Sequence, residues 1–167
     1  MHARTLRAFA AMAVVAVSLS AHAERLVGRV VGVADGDTIT VLDAGRQQHR
    51  IRLAGIDAPE KAQAYGQRSK QSLSDLVFGN SVVVNWDKHD QYGRIIGQVN
   101  TPSGQDANRL QIERGMAWHY KQFAKERPAD ESAAYNAAEQ RARQQHAGLW
   151  ADKEPTPPWA WRREQKR

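Results

Sequence analysis

Between residues 26 and 53 apolar and polar positions alternate in short runs broken by turn residues, the pattern of half-buried strands. Leu26–Val33 is rich in valine, and Asp35-Gly36 is a strong turn pair. Thr38–Leu42 (Thr-Ile-Thr-Val-Leu) reads as the partner strand; Ala44-Gly45 makes the next turn and His49–Leu53 alternates again. Three strands joined by tight turns predict an antiparallel meander. The period then changes. Tyr65, Ser69, Leu73, Leu76 and Val77 recur at helical spacing, which predicts a helix over Ala62–Phe78 closed by Gly79-Asn80. Ser81–Trp86 and Arg94–Asn100 are two further β blocks. Asp106–Arg114 reads as a helix stopped by Gly115, and Glu131–His146 as an alanine-rich helix ending near Gly148.

About five short strands with three helices is an α+β pattern. At this size the natural closed form is a five-stranded Greek-key barrel of the OB type with the helices packed on it. A chain of 167 residues with 41% hydrophobic residues carries one domain and builds its core without disulfides. It has no cysteine, which excludes a disulfide scaffold, Cys-ligated zinc, iron–sulfur clusters and a cysteine nucleophile. The domain is expected over residues 24–150. Residues 151–167 change character, with Pro155, Pro157 and Pro158, then Trp159 and Trp161, then a basic end. They read as an extended proline-rich tail whose tryptophans pack back on the domain.

The first 23 residues read as an export signal. Arg4 and Arg7 precede the apolar run Ala8–Leu19, and Ala21-His22-Ala23 fits the small-x-small cleavage pattern. A periplasmic or secreted protein, free of the membrane after cleavage, is the expectation. Removing this segment takes away two arginines and no acids, so the formal charge of +6 falls to +4. A basic balance permits a polyanionic partner without demonstrating one.

Candidate chemistry sits in three short stretches: Asp35-Gly36-Asp37-Thr38, Arg52-Leu53-Ala54-Gly55-Ile56-Asp57-Ala58-Pro59-Glu60, and Asp90-Gln91-Tyr92-Gly93-Arg94. Each alone has a plain structural explanation. The first is a hairpin turn, and it is not an EF-hand loop, which would place Thr40 at the glycine position and Arg46 at the glutamate position. Asp57 and Glu60 around Pro59 fit a helix capping box. The third is a surface hairpin. Together they place Asp35, Asp37, Asp57 and Glu60 on strand ends and turns, where carboxylates brought close repel unless a cation sits among them. Oxygen donors without cysteine suit Ca²⁺ or Mg²⁺. A metal, one free carboxylate and the guanidinium forks of Arg52 and Arg94 are what phosphodiester hydrolysis requires.

These three motifs in this order resemble the staphylococcal nuclease (thermonuclease) family. The resemblance runs from about Gly28 to Trp150, through the stretch from Asn108 by Gly115 to Ala117 and the closing Gly148-Leu149-Trp150. It implies an OB-fold nuclease that cuts DNA and RNA, single-stranded regions preferred, with Ca²⁺, leaving 3′-phosphate ends. Carried over by position, it makes Asp37 and Asp57 the carboxylate calcium ligands and the Ala58 carbonyl a third. Threonine is common at that last position, but a main-chain ligand tolerates alanine. It makes Asp35 an acid that touches the ion through water, Glu60 the general base, and Arg52 and Arg94 the holders of the scissile phosphate. Tyr92 falls where a tyrosine lines the nucleotide pocket. The family's later tyrosine pair is replaced by Trp118-His119-Tyr120, with Tyr120 the best candidate for base stacking. A monomer is expected. The alternative is an OB barrel that grips single-stranded nucleic acid without cutting it, for which the metal-plus-base set has no use. The six histidines share no ligand spacing and read as surface or incidental residues.

Overall fold

A computed structural model describes residues 24–166. The expected signal peptide, residues 1–23, lies outside the described residues. Five strands close a barrel in the order β1 (Glu24–Asp35), β2 (Thr38–Asp43), β3 (Gln48–Leu53), β6 (Ile95–Asn100), β5 (Ser81–His89) and back to β1. All neighbours are antiparallel except β3 and β6, which run parallel and seal the barrel. This is the α+β barrel that the alternation predicts. The inward positions of each strand form its core: Val30, Ile39 and Val41, Ile51 and Leu53, Val82 and Val84, Ile95 and Val99 are all buried. Gly97 sits where a Cβ would lie 2.5 Å from the Val84 side chain, so glycine lets β5 and β6 approach.

Helices cover one side. α1 (Gly66–Val77) buries Ser69, Leu73 and Val77 against the barrel. It starts four residues later than its periodicity predicts, because residues 58–65 are spent on a loop that closes with Tyr65 in the left-handed region (φ 65°). α2 (Ala107–Glu113) is capped by Asp106, whose side chain accepts from the Arg109 N–H at 3.1 Å. α3 (Ala129–Gln144) packs on α2 and inserts Tyr135, which is buried. A two-residue pair, β4 (Ile56–Asp57) with β7 (Trp118–His119), stands beside the barrel.

The tail is not extended throughout: Pro158–Glu164 forms α4, with Pro158 at the first helical position, where its missing N–H costs nothing. α4 joins a second apolar cluster of Trp118, Leu149 and Trp150. The Trp118 ring meets Trp150 edge-on at 4.3 Å and Trp159 at 5.5 Å. Arg143 of α3 lies over the Trp150 ring at 3.8 Å. His119 also departs from the sequence reading. It is buried, because pairing with β4 draws it beneath α3. Among the described residues no helix is long and apolar enough to cross a membrane.

Candidate active site

The β1–β2 hairpin tip carries the first acids. Asp35 pairs with Thr38, and the Asp35 carboxylate accepts from the Asp37 N–H at 3.1 Å. Gly36 at the tip is pressed against α1: a Cβ there would lie 1.8 Å from the Ser69 hydroxyl and 2.7 Å from the Ala58 methyl. The tip is then pinned from behind by Gln111 of α2, which is fully buried. Its amide donates to the Gly36 carbonyl at 2.9 Å and the Ser69 carbonyl at 3.0 Å, while its Oε1 accepts from the Ser72 hydroxyl at 2.7 Å.

This anchoring aims Asp37 across the hairpin. Its Oδ1 accepts from the Thr38 hydroxyl at 3.1 Å, and its Oδ2 accepts from the Ala58 N–H at 2.7 Å and forms an ion pair with Arg52 Nη1. Arg52 lies on β3 directly opposite Thr38, between the inward Ile51 and Leu53, and so points away from the core. Its Nη2 donates to Asp57 Oδ1 at 2.8 Å. One guanidinium therefore spans both aspartates, which fixes them side by side. Asp57 is buried and held by the β4–β7 pairing with Trp118. Behind it, Asn108 donates to the Ala54 and Gly97 carbonyls at 3.0 and 3.1 Å, tying the β3–β4 turn to β6 and α2.

Asp57, Ala58, Pro59 and Glu60 do not cap a helix. They run along the site in a loop, and the Glu60 N–H is held by Gln63 Oε1 at 3.1 Å, so the capping-box alternative is set aside. Glu60 is partly exposed. Its Oε1 accepts from Arg162 Nη1 at 2.8 Å, and the same guanidinium takes Asp57 with both arms, at 3.2 Å to Oδ1 and 2.8 Å to Oδ2. Arg162 comes from α4, about a hundred residues along the chain. Nothing in its local sequence distinguishes it from the other basic residues of the tail. The nearest signal is the Pro157-Pro158 pair, which starts the helix that delivers it.

Electrostatics reflect the crowding of acids. Burial, then the neighbouring Asp37 charge, pushes Asp35 up to about 6. Burial raises Asp57 as well, against the opposing pull of Arg162 and Arg52. For Arg52 burial works against the charge, but Asp37 and Asp57 outweigh it and hold the guanidinium protonated.

Arg94 and Tyr92 occupy the separate β5–β6 turn. Asp90 organises it, accepting from the Tyr92 and Arg94 N–H groups at 2.9 and 3.0 Å and from Arg94 Nε at 2.7 Å. These bonds outweigh burial and hold the Asp90 carboxyl below its ordinary range. Tyr92 is 74% exposed, with the Arg94 guanidinium 5.5 Å over its ring. The turn stands at the end of β6 beside β3, since Ile95 pairs with Ile51. Tyr120 follows β7, its N–H donating to the Gly55 carbonyl at 2.9 Å and its ring 5.6 Å from Trp159. An open cavity of about 480 Å³ runs past Trp118, Tyr120, Lys121, Arg143, Trp159 and Arg163.

The donor set suits a hard divalent cation: Asp37 and Asp57 are fixed on one guanidinium, only oxygen is offered, and Asp35 stands adjacent. Among the described residues no group of three or more His, Cys, Asp or Glu side chains is arranged to hold a metal ion. Asp37 and Asp57 offer oxygen alone, the donor that a hard divalent ion takes.

Residues 50–152 match the family model described as "Staphylococcal nuclease homologue". The chain is 46% identical over 135 residues to an "Uncharacterized endonuclease" of Escherichia coli, covering 81% of this chain and 84% of that protein. It is 44% identical over 169 aligned positions to a "Micrococcal nuclease" of Shigella flexneri, covering 96% and 94%. An "Uncharacterized endonuclease" of Haemophilus influenzae is 42% identical over 138 residues, covering 83% and 74%. Matched over more than half its length and similar to these relatives over most of theirs, the chain belongs to the staphylococcal nuclease family.

Proposed function

We propose that this protein is an exported, Ca²⁺-dependent endonuclease that hydrolyses phosphodiester bonds of DNA and RNA, single-stranded stretches preferred. The observation that supports it most is the convergence of Asp37, Asp57 and Glu60 around guanidinium forks beside the barrel. A barrel that only bound nucleic acid would have no use for buried aspartates and a partly exposed glutamate gathered there.

Asp37, Asp57 and the Ala58 carbonyl would hold the cation, with Asp35 acting through water. When bound, the ion polarises a phosphoryl oxygen and offsets charge in the transition state. Glu60 takes the proton of the attacking water; its partial exposure leaves room for that water. Phosphorus then carries five oxygens; the bond to the 5′-oxygen breaks, that oxygen takes a proton from solvent to become a 5′-hydroxyl, and a 3′-phosphate end remains. Arg52 and Arg94 supply planar forks for the growing negative charge. Arg94 reaches the phosphate from the β5–β6 turn after exchanging Asp90 for it. Tyr92 and Tyr120 flank the nucleotide, and the basic, aromatic cavity past Tyr120 carries the continuing strand.

The test is incubation of the purified protein with single- and double-stranded DNA and RNA in Ca²⁺, Mg²⁺ or EGTA, with end-group analysis. Cleavage in Ca²⁺ alone, leaving 3′-phosphates, is expected. Tight binding of single strands without cleavage in any metal would establish the binding module instead. Cleavage that persists in EGTA, or that Mg²⁺ alone supports, would remove the calcium assignment. N-terminal sequencing of protein recovered from the periplasm or medium, expected to begin at Glu24, tests the export step.

A further inference from the structure

We propose that Arg162 is an inhibitory latch: a cation carried by the C-terminal helix that occupies Asp57 and Glu60 in the resting enzyme and competes with the divalent metal for Asp57. The inference rests on the assignment of Asp57 and Glu60 to the metal and the base.

The geometry argues for competition rather than a bystander contact. The guanidinium engages both Asp57 oxygens and one Glu60 oxygen at once, a bidentate fork plus a third bond. Asp57 Oδ1 is shared with Arg52, so every Asp57 oxygen already faces a cation. A divalent ion approaching Asp57 meets the positive charge of Arg162 as well as that of Arg52. Glu60 is affected too, because its Oε1 is occupied by the Arg162 N–H where it would otherwise meet water. As long as the contact stands, both groups are diverted from their proposed roles.

The helix that carries Arg162 is a separable element. α4 lies beyond residue 152, where the match to the family model stops. It is reached through Pro155 and Pro157, and its contacts include Trp159 on Trp118 and Tyr120, buried Pro158, Trp161 beside Tyr65 and Leu149, and the Gln63 amide donating to the Thr156 carbonyl. The Arg162 side chain is itself 39% exposed, so it can leave the carboxylates for solvent or for a substrate phosphate without unfolding the barrel. Trp159 also flanks the cavity past Tyr120, so a nucleic acid strand entering there presses on the helix that holds the latch.

The experiment is calorimetric titration of the wild type and the Arg162→Gln variant with Ca²⁺, alongside thermal unfolding in EGTA and in Ca²⁺. Arg162→Gln should bind Ca²⁺ about tenfold more tightly. Its melting temperature should fall in EGTA, where Asp57 loses a partner, and rise further with Ca²⁺ than the wild type's does. Arg162→Lys keeps the charge without the fork and should fall between the two. Cooperative melting of each variant establishes that it is folded. If the wild type binds Ca²⁺ and Arg162→Gln binds it equally or more weakly, the latch is wrong and the metal reading stands. Binding by Arg162→Gln but not by the wild type would be the latch at full strength; if neither folded protein binds Ca²⁺, the metal reading fails and takes the latch with it.

Discussion

Replacing Gln111 by leucine should weaken the fold and the active site together, though Gln111 touches none of the acids. Leucine keeps nearly the volume but removes the amide. The Gly36 carbonyl and the Ser72 hydroxyl then lose a buried partner, and the Ser69 carbonyl loses a second donor. A typical net hydrogen bond is worth about 1 kcal/mol, and a buried group left without one costs roughly 1–3 kcal/mol. The expected loss is therefore on the order of 2–4 kcal/mol, a lowering of the melting temperature by roughly 5–15 °C for a domain of this size. The effect on the site follows from where the bond ends. Gly36 lies between Asp35 and Asp37, and its α1 contact leaves no slack for the tip to settle elsewhere. Misplacing a proposed ligand by about 1 Å is enough to cost one to two orders of magnitude in rate. Thermal unfolding by circular dichroism and nuclease rates measured well below the transition check both parts. A variant that melts within about 2 °C of wild type would refute the argument that Gln111 clamps the hairpin. One that melts early but cleaves at the wild-type rate would show that the tip does not position the aspartates.

The remaining expectations concern single groups. Glu60→Gln should lower kcat by about 10² or more with KM little changed, measured by steady-state cleavage; a near wild-type kcat would remove Glu60 as the base. Arg94→Lys preserves the charge but not the fork or the Nε bond to Asp90, so a loss of at least about tenfold in kcat/KM is expected, and unchanged kinetics would place Arg94 outside the site. His119 contributes a pH dependence of stability. Burial, aided by Lys121 and Arg127 and opposed by Glu139, holds its ring below the ordinary 6.5. The folded state therefore resists the proton that the unfolded chain accepts, so stability is intact above pH 6.5 and declines as pH falls below it. His119→Phe should flatten that decline in denaturation curves taken from pH 7.5 to 5.5; an unchanged slope would assign it to other groups.

What was legible in the sequence is local or rigidly periodic. Ile39 and Val41, and Ile51 and Leu53, alternate with polar neighbours, and one residue of slip would turn each pair out to solvent, so these barrel strands could be read without their partners. The Asp35-Gly36 turn was equally plain. What stayed hidden depends on partners far along the chain. Gln111 looks like any polar residue on a short helix until Gly36 arrives against it. His119 reads as a surface residue until β4 pairs with β7 and buries it. Asp57 and Glu60 fit a capping box on spacing alone, and only the loop that runs on to Tyr65 separates them from α1.

The same distinction governs the charges at the site. The motifs supplied the acids and two arginines, Arg52 and Arg94, read as holders of the scissile phosphate. Arg52 stands among the carboxylates, because strand register places it opposite Thr38. Arg94 is drawn by Asp90, four residues before it, and the second guanidinium among the acids is Arg162. Buried carboxylates recruit whatever cation the fold can bring, since an unpaired buried charge costs several kcal/mol. Composition could show that basic residues are in surplus but not which of them would answer. Here the answer comes from a helix outside the matched family segment, so control of the carboxylates can differ between relatives that share the barrel and its three motifs.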